Sequence, residues 1–192
     1  MIAPPSTTSF QQAKDQFDGF AIEAKYIGYW ENVHSYHMRL ITAYIHEAFA
    51  KLGCRLSTIP TGMPIPSPPI QRRHAKLLLR LFEILQDVGV VEKKQSSYIR
   101  ASLPIETTSP GLLHDKIVRE FPAYSLEHSP LRITASRFAD CFTGDVEAVD
   151  LLFGTKADCE LLQNVYAHAP VFKTATKLLC YFLVSLLIAV RS

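Results

Sequence analysis

Apolar residues recur at three- and four-residue steps along two long stretches of the chain, which is the spacing of one face of an α-helix. The first stretch extends from Trp30 to Leu52 and is followed by Gly53, a residue type that commonly ends helices. The second covers residues 71–88, and Gly89 follows it in the same way. The pattern therefore predicts two long amphipathic helices.

The segments around the second helix have a different pattern. Residues 60–69 hold five of the chain's twelve prolines, so they predict an extended connection over the surface and neither a helix nor a central strand. After the second helix, the apolar residues 90–91 and the Tyr-Ile-Arg segment 98–100 enclose a polar stretch. This arrangement predicts a short β-hairpin.

The remaining pattern predicts further short helices. A Ser-Pro pair at residues 109–110 is a capping residue followed by a first-turn proline, and Pro122 closes the helix that it opens. Another helix covers residues 145–153, the next begins at Thr155, and the last begins near Pro170. The fold class is therefore mainly α, with one short β-hairpin in a portion that has the outline of a winged helix.

The two ends of the chain follow no amphipathic period. Residues 1–29 begin rich in proline, serine and threonine and are interpreted as a linker with some local helix. Residues 178–190 are apolar on every side, but they fall short of the ~20 residues that span a bilayer. A helix that is buried against partner surfaces fits this segment better than a membrane anchor, which stays an alternative.

Composition and charge narrow the class of protein. The hydrophobic fraction of 48% and the charged fraction of 20% are typical of a globular protein, and the net charge of +2 gives no basic excess for nucleic acid. The four cysteines lack metal-binding spacing and lie in apolar helical patterns, so we expect buried thiols. With an N-terminus unlike a signal peptide, this predicts a reducing, cytoplasmic location.

Motifs for cofactor chemistry are missing from the sequence. None of the eight glycines is spaced as G-x-G or G-x-x-G, the spacing that lets backbone N–H groups approach a nucleotide or S-adenosylmethionine. Patterns of zinc proteases, P-loops and nucleophile elbows are also missing. We therefore expect no catalytic residue, no cofactor site and no metal site in this chain.

Two groups of polar residues are candidates for a metal site or for paired catalytic carboxylates. His34 and His37 lie three residues apart on the first helix, with His46 and its neighbour Glu47 further along, but a metal would need more ligands than one such pair. The carboxylates of residues 140, 145 and 147 are explained more simply as helix caps and solvated positions.

Two stretches carry a resemblance: residues 40–54 (Leu-Ile-Thr-Ala-Tyr-Ile-His-Glu-Ala-Phe-Ala-Lys-Leu-Gly-Cys), and residues 139–154 (beginning Ala-Asp-Cys-Phe-Thr-Gly) with their continuation at 161–183 (through Val-Tyr-Ala-His-Ala-Pro to Cys-Tyr-Phe-Leu). Together they resemble the N-terminal lid of the C-methyltransferase domain of fungal non-reducing polyketide synthases. Residues 77–100 fit the same lid. The resemblance implies a helical lid-type domain over residues 30–183, between the linker 1–29 and an apolar, non-family tail at 184–192.

The same resemblance carries expectations about function. In the family, the lid precedes a core that binds S-adenosylmethionine and supplies the catalytic His and Glu, so this chain is expected to be a truncated relative that is not catalytic alone. Tyr166 matches the tyrosine of the family's Val-Tyr motif and is the candidate residue that faces the substrate. An equally favoured interpretation is that its ring packs between two helices. A polyketide synthase or its acyl-carrier-bound intermediate is the implied partner. We hypothesise that the tail is retained intron or a frameshift scar.

Two other classes of protein stay open at this point. The helix at 71–88 followed by a hairpin is also the outline of a winged-helix binding or dimerisation module. A DNA-reading version would expose a basic helix face, whereas here the basic residues Arg72, Arg73, Lys76 and Arg80 cluster at one end. The third class, a small membrane-anchored protein, rests on the apolar C-terminal run alone.

Overall fold

The computed structural model describes residues 5–191, and this part of the chain folds into ten α-helices and one two-stranded antiparallel sheet. The predicted fold class, mainly α with one hairpin, is confirmed. Short 3₁₀ turns and one π-helical turn lie between the helices. In chain order, the elements are α1 Pro5–Asp15, α2 Phe17–Glu23, α3 His34–Lys51, α4 Ala75–Asp87, β1 Val91–Lys94, β2 Ser97–Arg100, α5 Pro110–Glu120, α6 Ser125–Ala135, α7 Phe138–Thr143, α8 Ala148–Phe153, α9 Lys156–His168 and α10 Pro170–Arg191.

Helix α3 is the central element, because both larger apolar clusters form against it. It ends where the sequence predicts: Gly53 adopts a left-handed backbone with φ of 82°, and the N–H groups of Gly53 and Cys54 bond to the carbonyls of Ala50 and Phe49. This pair of bonds is the Schellman arrangement, which satisfies carbonyls that the last helical turn leaves open. Gly89 ends α4 in the same way.

The first cluster joins α3, α4 and the hairpin. Phe49 and Leu85 are fully buried in it, and the Phe82 ring stacks on Tyr98 of β2 with centroids 4.5 Å apart. The proline-rich segment 60–69 is extended, as predicted, and Ile65 N–H bonds to Tyr98 C=O at 2.8 Å. The segment therefore lies along the outer edge of β2 and closes this side of the core.

The second cluster joins α3 to α5 and α6. Leu40 of α3 is buried in it together with Leu113 and Ile117 of α5. Ser109 caps α5, since its hydroxyl accepts the Leu112 N–H at 3.4 Å. The capping and first-turn proline predicted from residues 109–110 are confirmed.

The N-terminal segment has more structure than the expected linker. Residues 5–23 are almost wholly helical, and α1 and α2 pack against α10 at the far end of the chain. Phe10 meets Phe182 edge-on with ring centroids 6.5 Å apart, and Lys177 forms an ion pair with Glu23. Periodicity within residues 1–29 did not reveal these helices, because their packing partner lies more than 150 residues further along the sequence. The domain boundary at residue 30 stays a prediction.

The cysteines follow the expectation only in part. All four are free thiols; Cys54 and Cys141 are buried, but Cys159 is half-buried and Cys180 is exposed. The prediction of a buried thiol is therefore wrong for Cys180. Cys180 lies on α10, where most of the apolar residues at 178–191 are exposed. Apolar neighbours in the sequence were therefore not a sign of burial at this position.

Candidate functional site

A groove lined mainly by aromatic side chains opens between the start of α3, α6, α9 and α10. Its volume is about 440 Å³. We call it the aromatic groove. Its lining residues are Tyr26, Tyr29, Trp30, His37, Glu127, Pro130, Leu162, Val165, Tyr166, Val171 and Phe172.

The chain immediately before α3 presents the first three rings of the groove. Gly28 has a φ of 83°, and its carbonyl accepts the Asn32 side-chain amide at 2.9 Å. This left-handed residue, which favours glycine, starts the π-helical turn Tyr29–Val33. As a result, Tyr29 is buried beneath Tyr26 in a stacked pair, whereas Trp30 keeps 63% of its surface exposed.

Two polar groups meet on the floor of the groove. The Tyr29 hydroxyl lies 3.2 Å from His37 Nδ1, within hydrogen-bond distance. Burial raises the pKa of Tyr29 to about 12, and the charge of Glu127 adds to the effect. Burial lowers the pKa of His37, with a smaller contribution from His34. Tyr29 therefore keeps its proton and His37 stays neutral near pH 7.

Glu127 is the only carboxylate among the lining residues. Its Oε1 accepts the Val171 N–H at 3.0 Å, which ties α6 to the first turn of α10. Burial raises the pKa of Glu127, although this backbone hydrogen bond opposes the shift. No ion pair of Glu127 occurs within residues 5–191, so the groove holds one acidic group without a cationic partner.

The substrate-facing candidate, Tyr166, lines this groove from α9. Its side chain is 60% exposed, and its ring meets Phe172 edge-on with centroids 4.8 Å apart. Tyr166 therefore contacts Phe172 of α10, and the rest of its side chain is exposed. Its predicted role towards a substrate stays a prediction.

The histidines of α3 do not gather into one site. The His34 ring is tilted against Trp30 with centroids 4.6 Å apart, and the His37 ring is tilted against His128 of α6 at 4.8 Å. His46 lines a separate cavity between α3 and the start of α5. Across the described residues, no group of three or more His, Cys, Asp or Glu side chains is arranged to hold a metal ion.

The acidic residues 140, 145 and 147 make local contacts. Asp140 pairs with Arg137, and Asp145 accepts a hydrogen bond of 2.5 Å from the Thr143 hydroxyl. Glu147 pairs with Arg73 at 2.6 Å. These contacts agree with the simpler interpretation of the three carboxylates as surface and helix-end positions.

The apolar end of α10 forms a second exposed feature. Helix Pro170–Arg191 has a mean hydropathy of 1.7 in its most apolar window, of which 6% is buried, so by length and composition it is the one helix in residues 5–191 that could cross a membrane. Such a helix is weak grounds for a membrane span. Its most exposed apolar residues are Leu179, Leu183, Val184, Leu187, Ile188 and Val190.

Comparison with known proteins identifies the fold. Residues 11–98 match the family described as "Methyltransferase, Helix-turn-helix domain". The chain is 41% identical over 174 residues to the non-reducing polyketide synthase esdpA of Penicillium shearii, and 35% identical over 177 residues to 5-methylorsellinic acid synthase of Aspergillus terreus. Each alignment covers 91% of this chain but only 8% and 7% of the two relatives.

Solved structures match over the same extent. The C-methyltransferase domain of the citrinin polyketide synthase superposes with a TM-score of 0.85 and 26% identity, covering 97% of this chain and 50% of that one. The carbon methyltransferase CurJ shares the fold with a TM-score of 0.77 at 16% identity. These matches define a methyltransferase-type helix-turn-helix region. The chain is a homologue of the N-terminal region of the C-methyltransferase domain of fungal non-reducing polyketide synthases, as the resemblance predicted.

Sequence reasoning missed several groove residues. Glu127 lies on α6, whose apolar period is interrupted by Pro130 within the helix. Tyr26 and Tyr29 fell in the expected linker, and only the left-handed Gly28 marks the turn that orients them. A cluster of three aromatic residues at positions 26, 29 and 30 beside a glycine was the available signal.

Proposed function

We propose that this chain forms the helical lid portion of an S-adenosylmethionine-dependent C-methyltransferase domain in fungal polyketide biosynthesis, and that it does not transfer methyl groups by itself. The match to half of the citrinin synthase domain along 97% of this chain carries the proposal. The chain also lacks the glycine spacing of a cofactor-binding turn. A cofactor-binding portion outside these residues would supply the catalytic groups.

The lid would act by covering a substrate and excluding water. The aromatic groove offers a suitable surface, because rigid rings bury apolar area with little loss of side-chain freedom. Tyr166 would face the substrate from α9, since it lines the groove and 60% of its surface is exposed. The substrate would be an acyl-carrier-bound polyketide intermediate, and the place of action would be the cytoplasm.

A calorimetric titration of the purified chain with S-adenosylmethionine tests the non-catalytic part of the proposal. We expect no saturable heat. Measurable affinity, or methylation of a β-ketoacyl thioester by the chain alone, would contradict it. Adenosine is the control ligand, because it has the nucleoside of S-adenosylmethionine without the methyl donor. Equal heats with both compounds would indicate binding of the nucleoside alone.

A chimera tests the lid role directly. The chain replaces the matched half of the citrinin synthase C-methyltransferase domain, and methyl transfer to a β-ketoacyl thioester is measured. We expect activity in the chimera, and a fall of about tenfold or more in kcat/KM for Tyr166→Leu. Tyr181→Leu on α10 is the matched control, since Tyr181 lies outside the groove against Phe20. A folded but inactive chimera would count against the lid role.

A helix-turn-helix module that binds a protein or nucleic acid is the second candidate, supported by the description of the matched family. Two of the four basic residues at the start of α4 are already paired, Arg73 with Glu147 and Arg80 with Glu83. We therefore expect no binding to random duplex DNA even at low salt, where phosphate contacts are strongest. Membrane binding is likewise not expected, and flotation of the intact chain with liposomes tests it.

A further inference from the structure

The charge of the aromatic groove suggests a class of ligand that the proposed function does not name. Three of its rings, Tyr26, Trp30 and Tyr166, carry electron-rich faces of the kind that attract cations, and its single charged side chain is the Glu127 carboxylate. Lysine and arginine are absent from the lining residues. Nothing within the groove therefore competes with a positively charged ligand.

The Glu127 carboxylate provides the second argument. Glu127 is half-buried, accepts a single backbone hydrogen bond, from Val171, and forms no ion pair among residues 5–191. A partly buried carboxylate without a cationic partner is unfavourable, and a positive charge within a few ångströms offsets that penalty. Burial also raises the pKa of Glu127, because the charged form is less well solvated there than in water, and the hydrogen bond from Val171 opposes the shift.

Three other titratable groups of the groove, Tyr26, Tyr29 and His37, are neutral near pH 7. Burial raises the pKa of Tyr26 and Tyr29, and it lowers that of His37, whose Nδ1 is within hydrogen-bond distance of the Tyr29 hydroxyl. Tyr124 behind them also has a raised pKa through burial. The field in the groove is therefore that of one carboxylate and several ring faces.

From these observations we propose that the aromatic groove binds an organic monocation, a quaternary or tertiary ammonium centre carried on a small apolar body. The cation would lie near Glu127 and against the ring faces of Tyr26 and Trp30, and the apolar body would contact Val165 and Phe172. The site does not rest on the proposed function, because it uses only side chains of this chain.

The test uses Trp30 as a built-in reporter, since it is the only tryptophan in the sequence. Trp30 fluorescence of the full chain is titrated with choline and with 3,3-dimethylbutan-1-ol, which has the same shape with a carbon in place of the charged nitrogen. We expect a saturable change with choline and a Kd at least about tenfold lower than for the neutral alcohol. Equal affinities, or no saturable change with choline, would overturn the proposal.

Variants separate the charge from the rings. Glu127→Gln keeps an oxygen to accept the Val171 N–H and should weaken choline binding about tenfold without affecting the alcohol. Glu160→Gln is its control, because Glu160 lies exposed on α9, outside the groove, beside Lys156. Should Glu127→Gln fail to fold, the exposed Trp30→Leu is measured by calorimetry and should also lose choline affinity. Unchanged choline binding in either folded variant would contradict the site.

Discussion

The imidazole rings of His37 and His128 lie with their centroids 4.8 Å apart, across the contact between α3 and α6. His128 is fully buried, and neither of its ring nitrogens has a hydrogen-bond partner within the described residues. Burial lowers the pKa of His128 to about 4, with smaller contributions from His37 and His114. This contact therefore requires a neutral imidazole.

The first prediction is that the fold loses stability in mild acid. A histidine titrates near 6.5 in the unfolded chain, so between pH 6.5 and about 4 the unfolded state binds more protons than the folded state does. The contribution of neutral His128 is complete above pH 6.5 and falls as the pH drops, by at most about 1.4 kcal/mol per pH unit. The urea midpoint at pH 7.5, 6.0 and 5.0 measures it.

A matched pair of variants isolates this contribution. His128→Leu removes the titrating ring together with its unpartnered buried nitrogens, so its urea midpoint should fall less between pH 7.5 and 5.0 than that of the parent chain. His168→Leu, at the exposed end of α9, should follow the parent chain. An identical pH dependence in all three proteins would show that acid acts elsewhere. The half-buried His46 would then be the next candidate, since burial also lowers its pKa to about 4.

The second prediction concerns the end of α3. Gly53→Ala should destabilise the fold by about 1–2 kcal/mol, because Gly53 has a φ of 82° that an L-residue with a Cβ adopts only with strain. A Cβ at this position would meet nothing within 4 Å, so the whole effect is conformational. Gly111→Ala, in the first turn of α5, has equal space and no positive φ. It should be neutral or stabilising by up to about 1 kcal/mol, as measured by thermal and urea unfolding.

Local signals in the sequence were sufficient for much of the fold. The ends of α3 and α4 follow from Gly53 and Gly89, and the starts of α5 and α9 follow from Ser109 and Thr155, whose hydroxyls accept the expected N–H groups. Each of these signals acts within one helical turn, which is why single-sequence reasoning detects it.

The aromatic groove could not be predicted in this way. It is assembled from five separate segments, and Tyr26 and Glu127 line the same groove only because the chain before α3 folds near α6. The packing of α1 and α2 on α10 has the same cause, since helix periodicity states which face is apolar but not what covers it. Tyr166 was found only through the family resemblance.

The third prediction tests the core between α3, α4 and the hairpin. Phe49 is fully buried, and its ring lies 5.3 Å from that of Phe82. Phe49→Ala should cost about 3–5 kcal/mol, a large share of the stability of a small domain, because it removes packing and leaves a cavity. Phe153→Ala, on α8 with 58% of its surface exposed, should cost much less. Equal losses in the two urea titrations would contradict the packing of Phe49 described above.

The fourth prediction concerns the exposed apolar end of α10. Leu187 and Val190 keep 59% and 70% of their surfaces exposed, and contiguous apolar surface of this kind promotes self-association or membrane contact. Leu187→Glu combined with Val190→Glu should leave the helical circular dichroism unchanged, because these side chains support no core. Sedimentation velocity should show less self-association than in the parent chain.

The control for this variant matches its charge. The double substitution lowers the net charge by two, from +2 to 0, and Lys173→Glu on the exposed first half of α10 does the same. If Lys173→Glu reduces self-association equally, net charge and not the apolar surface is responsible. Liposome flotation of the parent chain and both variants distinguishes contact with protein from contact with lipid. If the parent chain self-associates but stays with the soluble fraction, the apolar end of α10 contacts protein and not lipid.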